Sequence, residues 1–94
     1  MKWRLSLTPN VQQTVRVLPP TVKHPIRASL EELCKNPWLG KALRDELAGL
    51  YSYRVRRFRV IYRLERHKIT IVVVGVGQRE TVYEELATGL RLKD

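Results

Sequence analysis

Between Tyr53 and Lys68 the chain reads Tyr-Arg-Val-Arg-Arg-Phe-Arg-Val-Ile-Tyr-Arg-Leu-Glu-Arg-His-Lys, which sets seven of its eighteen Lys and Arg residues against one acid, Glu65. Alternation along a strand puts Tyr53 and Val55 on one side and Arg54 and Arg56 on the other. In the next strand Phe58, Val60, Tyr62 and Leu64 oppose Arg59, Ile61 and Arg63. Two such strands side by side aim Arg54, Arg56 and Arg59 at one concavity while their apolar partners face inward. A β-ribbon this cationic is a surface built to meet phosphate. Further on, Val76-Gly77-Gln78-Arg79-Glu80-Thr81-Val82-Tyr83 adds Arg79 and Tyr83, with Gly77 expected to let the chain turn before them.

The whole composition points the same way. A formal charge of +9 favours a polyanionic partner, and twelve Arg against six Lys favours bidentate phosphate contacts and stacking on bases over diffuse attraction. Nucleic acid ranks first and an acidic protein second. The lone Cys34 argues against a disulfide framework, and with only His24 and His67 elsewhere it makes no metal site, so neither metal nor cofactor is expected. No apolar run reaches the ~18 residues of a membrane span, and the opening residues lack the apolar stretch of a signal peptide. A reduced, cytoplasmic protein is the expectation.

The elements that must carry these side chains follow from periodicity. Residues Lys2 to Leu7 alternate as a half-buried strand. Thr8 and Pro9 then read as a helix N-cap with Pro in the first turn. Val11, Val15, Leu18, Val22, Ile26, Leu30 and Leu33 fall at steps of three and four, the apolar stripe of helices. Pro19 and Pro20 split that stripe into two helices, Pro9 to Val17 and Pro20 to Lys35, with Pro25 requiring a kink or a later start in the second.

Asn36 and Pro37 end the second helix, a short connection spans Trp38 to Leu47, and Gly49 marks entry to a sheet. Tyr53 to Arg56, Phe58 to Glu65 and Ile69 to Val76 read as three antiparallel strands, the last two joined by a tight turn at Arg66 to Lys68. The third is apolar on both faces and is expected at the centre of the sheet. Glu80 to Thr88 forms a final helix closed by Gly89, with Arg91 to Asp94 a loose tail. The predicted fold is α+β in a single domain of residues 1–94: an N-terminal strand and helical hairpin packed on an antiparallel meander, then a short C-terminal helix.

Leu43 with Gly49, Tyr-Arg-Val-Arg at Tyr53 to Arg56, Phe-Arg-Val-Ile-Tyr at Phe58 to Tyr62, and Val-Gly-Gln-Arg-Glu-Thr-Val-Tyr at Val76 to Tyr83 stand in the order and spacing of a known family. In these segments the chain resembles the RelE/ParE superfamily of toxin-antitoxin toxins, over nearly its whole length. RelE-like members are ribosome-dependent endoribonucleases that cut messenger RNA in the decoding site. The resemblance implies site roles for the sheet residues Arg54, Arg56 and Arg59, the following Arg79, and Tyr83. It also implies the chemistry: a ribose 2′-hydroxyl attacks its own 3′-phosphate and expels the next nucleotide's 5′-oxygen, leaving a cyclic phosphate and a free 5′-hydroxyl.

One departure shapes the assignment of roles. The best-known RelE enzymes carry lysines where this chain has Arg54 and Arg56. Deprotonating a guanidinium at neutral pH costs roughly 7–9 kcal/mol, so these two are assigned to holding the phosphate and its developing charge. Tyr83 then becomes the side chain best suited to carry a proton, since neighbouring guanidinium groups favour a phenolate. It could equally stack on a base, and both roles stay open.

Simpler readings stand beside these. The arginines could be a solvated strand face that resists edge pairing. Arg57, Arg63 and Arg66 are read as solvating, Tyr53, Phe58 and Tyr62 as packing, Cys34 as a buried small hydrophobe, and Trp3 and Trp38 as core anchors. His24 and His67 have no assigned role.

Three functions compete. The first is a RelE-like mRNA endonuclease acting on the ribosome and held inactive by an acidic, partly disordered antitoxin. The second is a ParE-like inhibitor of DNA gyrase that binds without chemistry; one fold serves both activities. The third is a non-toxic RNA-binding module.

Overall fold

The computed structural model describes the backbone of residues 2–93 and the side chains of residues 2–89. The elements run β1 (Arg4–Leu7), α1 (Pro9–Val17), α2 (Pro20–Lys35), β2 (Lys41–Ala42), β3 (Tyr51–Val55), β4 (Phe58–Glu65), β5 (Thr70–Gln78) and α3 (Arg79–Lys93). Short 3-10 turns lie at Asp45–Leu47 and Arg66–Lys68.

Local chemistry explains the helical hairpin. Thr8 caps α1 by accepting from the Val11 amide, and Pro9 occupies the first turn, where an amide would have no helical partner. Lys23 donates to the Arg16 carbonyl at 3.0 Å, so the second helix helps close the first. The start of α2 is Pro20, and the helix continues through Pro25. Pro25 cannot donate to the Thr21 carbonyl, but Thr21 is solvent-exposed and water can replace that bond. The helix therefore neither ends nor starts late there.

The five strands lie in the order β1-β5-β4-β3-β2, with β1 parallel to β5 and the other pairs antiparallel. The meander is as expected, but β4 is its central strand and β5 lies beside it. The Trp38 to Leu47 connection also contains an edge strand, β2, that no alternation announces. Strand β3 begins at Tyr51 and ends at Val55, so Arg56 lies in a two-residue turn with Arg57. Helix α3 begins at Arg79 and runs past Gly89 to Lys93, not stopping at Thr88; Asp94 of the expected tail lies outside the described residues.

Each face of the sheet carries its own helical layer. Val55, Val60, Tyr62, Ile71, Val73 and Val76 pack with Val11, Val15, Ile26, Leu30, Leu33 and Cys34 of α1 and α2. Burial raises the Cys34 thiol pKa, with Glu31 adding to the rise and Lys2 opposing it, which suits a packing role. On the other face α3 lies over Gly75 and Gly77. A Cβ on Gly75 would stand 2.9 Å from Val82 Cγ2 and 3.2 Å from Leu86 Cδ1, so glycine is what lets the helix seat so closely. Gly77 lies within β5 rather than at a turn, and a Cβ there would make only ordinary contact with Val82, 3.5 Å away.

A register shift between Ile61 and Tyr62 keeps both layers apolar. Ile61 pairs with Gly75 and Tyr62 with Val73, leaving Val74 as the extra residue. Without it, Val73 and Val76, three positions apart on β5, would face opposite layers instead of sharing the α1–α2 core.

Candidate active site

The arginine ribbon lies on the α3 side of the sheet, at the end bearing the β3–β4 turn. Arg54 and Arg59 are direct partners across the ladder, and Arg59 is paired with Gly77 on its other side. Side chains facing each other across such a ladder have Cβ atoms about 5 Å apart, and like charges there repel. Among the described residues neither arginine has a carboxylate partner, whereas Arg63 and Lys68 both pair with Glu65. Arg54 Nε instead donates to the Arg56 carbonyl, and Arg59 Nη1 to the Phe58 carbonyl, both at 3.3 Å. Two guanidinium groups are thus folded against backbone, with donors left for an anion.

Arg56 does not share their strand alternation. It occupies the first position of the tight turn with φ of 57°, a left-handed conformation that disfavours a side chain. Its carbonyl nonetheless anchors Arg54, so it shapes the site through the backbone. Arg57, beside it, is exposed.

Helix α3 brings the remaining two residues. Arg79 opens the helix two positions after Gly77, and Tyr83 follows one turn later on the same helical face. The half-buried Tyr83 hydroxyl lies 2.8 Å from Ser52 Oγ, a hydrogen bond in which either oxygen can donate. Ser52 is two residues before Arg54, on the same side of β3, and is 9% exposed. The arrangement therefore joins Arg54, Arg59, Arg79 and Tyr83 around one end of α3, with Arg56 at the margin. The expected open concavity is instead a sheet face partly roofed by that helix.

Ser52 was not singled out from the sequence. Alternation alone puts it on the Arg54 side, but a lone serine in a strand carries no sign that a tyrosine thirty-one positions later will reach it. The opposite face behaves as packing: Tyr53 donates to Glu32 on α2 at 3.0 Å, and that hydrogen bond, with burial, raises its phenol pKa. Tyr62 is fully buried, donates to the Pro37 carbonyl at 2.8 Å and accepts from the Gly40 amide at 3.0 Å. Its pKa is raised chiefly by burial, with the Gly40 bond opposing.

Known toxins share this fold. Residues 8–83 match the family described as ParE toxin of type II toxin-antitoxin system, parDE. The chain belongs to this toxin family. Toxin RelG of Mycobacterium tuberculosis is 29% identical over 85 residues, covering 88% of this chain and 98% of RelG. A chain of the toxin-antitoxin complex RelBE2 from the same organism superposes with a TM-score of 0.78 at 28% identity, covering 84% of this toxin and all of that chain. A mutant of the Escherichia coli toxin RelE in the free state gives a TM-score of 0.78 at 24% identity over 95% of this toxin and 98% of that chain, a likeness of fold. The toxin is thus a member of the RelE/ParE superfamily, with the α+β fold that its segments imply. No helix among the described residues is long and apolar enough to cross a membrane.

Proposed function

We propose that this toxin is a ribosome-dependent mRNA endoribonuclease that acts as one domain in the cytoplasm. The observation that carries the reading is the cross-strand pair Arg54 and Arg59, held beside α3 with no carboxylate partner among the described residues. A repulsive pair of this kind gains most from a ligand with concentrated negative charge, and a scissile phosphate gains charge as it reacts. The resemblance to RelG and RelE toxins supports the same choice.

In this reading Arg54 and Arg59 bind the phosphoryl oxygens, and Arg79 adds charge from the start of α3. The 2′-oxygen bonds to phosphorus as its proton leaves, the bond to the 5′-oxygen breaks, and that oxygen takes up a proton. Products are a 2′,3′-cyclic phosphate and a 5′-hydroxyl. Tyr83 is the proton carrier, with Ser52 orienting its hydroxyl. Arg56 assists by fixing Arg54, and its left-handed backbone is strain of the kind that collects at working sites. The ribosome supplies the substrate alignment that so small a site lacks.

A cognate antitoxin completes the proposal. RelBE2 is a toxin-antitoxin complex, and an acidic, partly disordered chain would complement the +9 charge of this toxin. The second reading, inhibition of DNA gyrase by binding alone, is favoured by the family match being to ParE. Primer extension on a defined message in a cell-free translation system separates the two. Cuts at ribosome-occupied codons that weaken in Arg79→Ala and Tyr83→Phe support the nuclease; an intact message, with supercoiling by gyrase stalled, supports the other.

A further inference from the structure

At the opposite end of the sheet, and on its other face, the structure holds a half-exposed tryptophan in a rigid mount. Trp38 is 51% exposed, yet the loop that carries it is pinned at both ends. The buried Tyr62 hydroxyl binds the Pro37 carbonyl on one side of Trp38 and the Gly40 amide on the other. A Cβ at position 40 would overlap that hydroxyl, so Gly40 is required for the mount. Asn36 Oδ1 accepts from the Trp38 amide at 3.2 Å. Trp3 and Tyr51 brace the indole edge to face, and Tyr51 in turn stacks on Tyr62 at 5.5 Å between centroids.

Above this indole lies the Arg66 guanidinium, 5.1 Å from the ring centroid. Backbone bonds from Trp3 to Cys34 and from Arg4 to Ile69 draw three chain segments together around it. Those segments carry Lys2, Arg4, Lys35, Lys41, Arg66 and Lys68 against Glu31, Glu32 and Glu65. Glu65 is already shared by Arg63 and Lys68. An aromatic platform preorganised by buried hydrogen bonds, with a stacked arginine and a mainly basic rim, has the makings of a base-stacking site.

We propose that the Trp38–Arg66 corner is a second nucleic-acid surface, which takes single-stranded RNA by stacking an unpaired base on the Trp38–Arg66 pair while the surrounding cations meet the flanking phosphates. It lies on the order of 20 Å along β4 from Arg59, so one molecule could hold RNA at both ends. The choice of RNA over an acidic polypeptide rests on the nuclease reading above; the platform itself does not.

The test is equilibrium binding of a short oligouridylate, and of an RNA duplex of equal length, to the full chain without ribosomes. Trp38→Ala should weaken oligouridylate binding about tenfold or more, and that loss should persist at high salt because stacking releases no counterions. Arg66→Glu should weaken it too and lower the salt dependence by roughly one phosphate contact. Duplex binding should change little in Trp38→Ala. Circular dichroism checks the fold of both variants, and Arg66→Glu carries the test if Trp38→Ala is unfolded. Unchanged oligouridylate affinity in Arg66→Glu, or equal losses on duplex and single strand, would overturn the proposal. So would loss of polyglutamate binding alone, which would assign the corner to an acidic protein. Because cleavage is not read, failure here leaves the primer-extension result standing, and the reverse also holds.

Discussion

The two faces of the sheet are built on different terms. Against α1 and α2 the strands present Val55, Val60, Tyr62, Ile71, Val73 and Val76, most of them almost wholly removed from water. Against α3 they present Ser52, Arg54, Arg59, Ile61, Gly75 and Gly77, which share few apolar side chains and two glycines. The first face holds the chain together through buried area. The second gives up packing so that a helix can sit close and charged groups can gather at its start. Under the proposed function stability and activity are therefore separable by face, and substitutions should sort accordingly.

The largest effect expected is on the first face. Leu33→Ala, at a fully buried position, should cost about 2–5 kcal/mol and lower the midpoint of thermal unfolding by roughly 10 °C or more. Activity per folded molecule should stay near wild type, as measured by primer extension at a permissive temperature. A loss of activity greater than the loss of folded protein would break the comparison.

On the second face the reverse is expected. Arg59→Ala should lower mRNA cleavage about 10²-fold or more while unfolding shifts by no more than ~0.5 kcal/mol, or rises as the repulsion with Arg54 is relieved. Gly75→Val bridges the two outcomes. Its side chain would strike Val82 and Leu86, costing about 1–3 kcal/mol, and by lifting α3 it should also reduce cleavage. Were cleavage unchanged in Gly75→Val, α3 would be a cover and not part of the site.

Alkaline titration probes the first face more finely. Tyr62 and Tyr53 both keep their protons more firmly in the fold than in the unfolded chain. The folded state then binds more protons once the unfolded phenols begin to ionise, near pH ~10. Their contribution is complete below that pH and is lost as pH rises from there through the folded pKa values. Tyr53→Phe should remove its share of this slope and about 0.5–1.5 kcal/mol with the Glu32 bond, read by urea unfolding at two pH values. It is the smallest effect predicted, and it should leave cleavage untouched.

Much of this was legible without coordinates because it is periodic. Steps of three and four from Val11 to Leu33 specify the apolar stripe of a helical hairpin, and steps of two from Tyr53 to Val55 and again from Phe58 to Leu64 separate the arginines from the core side of the sheet. Thr8-Pro9 announces the start of α1 by the same local logic, since a cap is made within three residues. Charge, too, is additive along the chain, so a strongly basic protein follows from counting.

What escaped the sequence depends on contacts between residues far apart in the chain. The Arg56-Arg57 turn carries no glycine or asparagine, and Arg56 takes a left-handed conformation only because Val55 and Phe58 are paired on either side of it. Trp38 looks like a core anchor by type, but Tyr62, twenty-four residues on, binds both ends of its loop and holds the indole outward. The extra residue at Val74, the seating of α3 on Gly75, and the bond from Tyr83 to Ser52 are likewise long-range. Sequence by itself determined which residues are apolar, which are charged and how each element alternates. Only the tertiary structure decided which side chains meet, because burial and hydrogen bonding across the chain are settled when its layers close on one another.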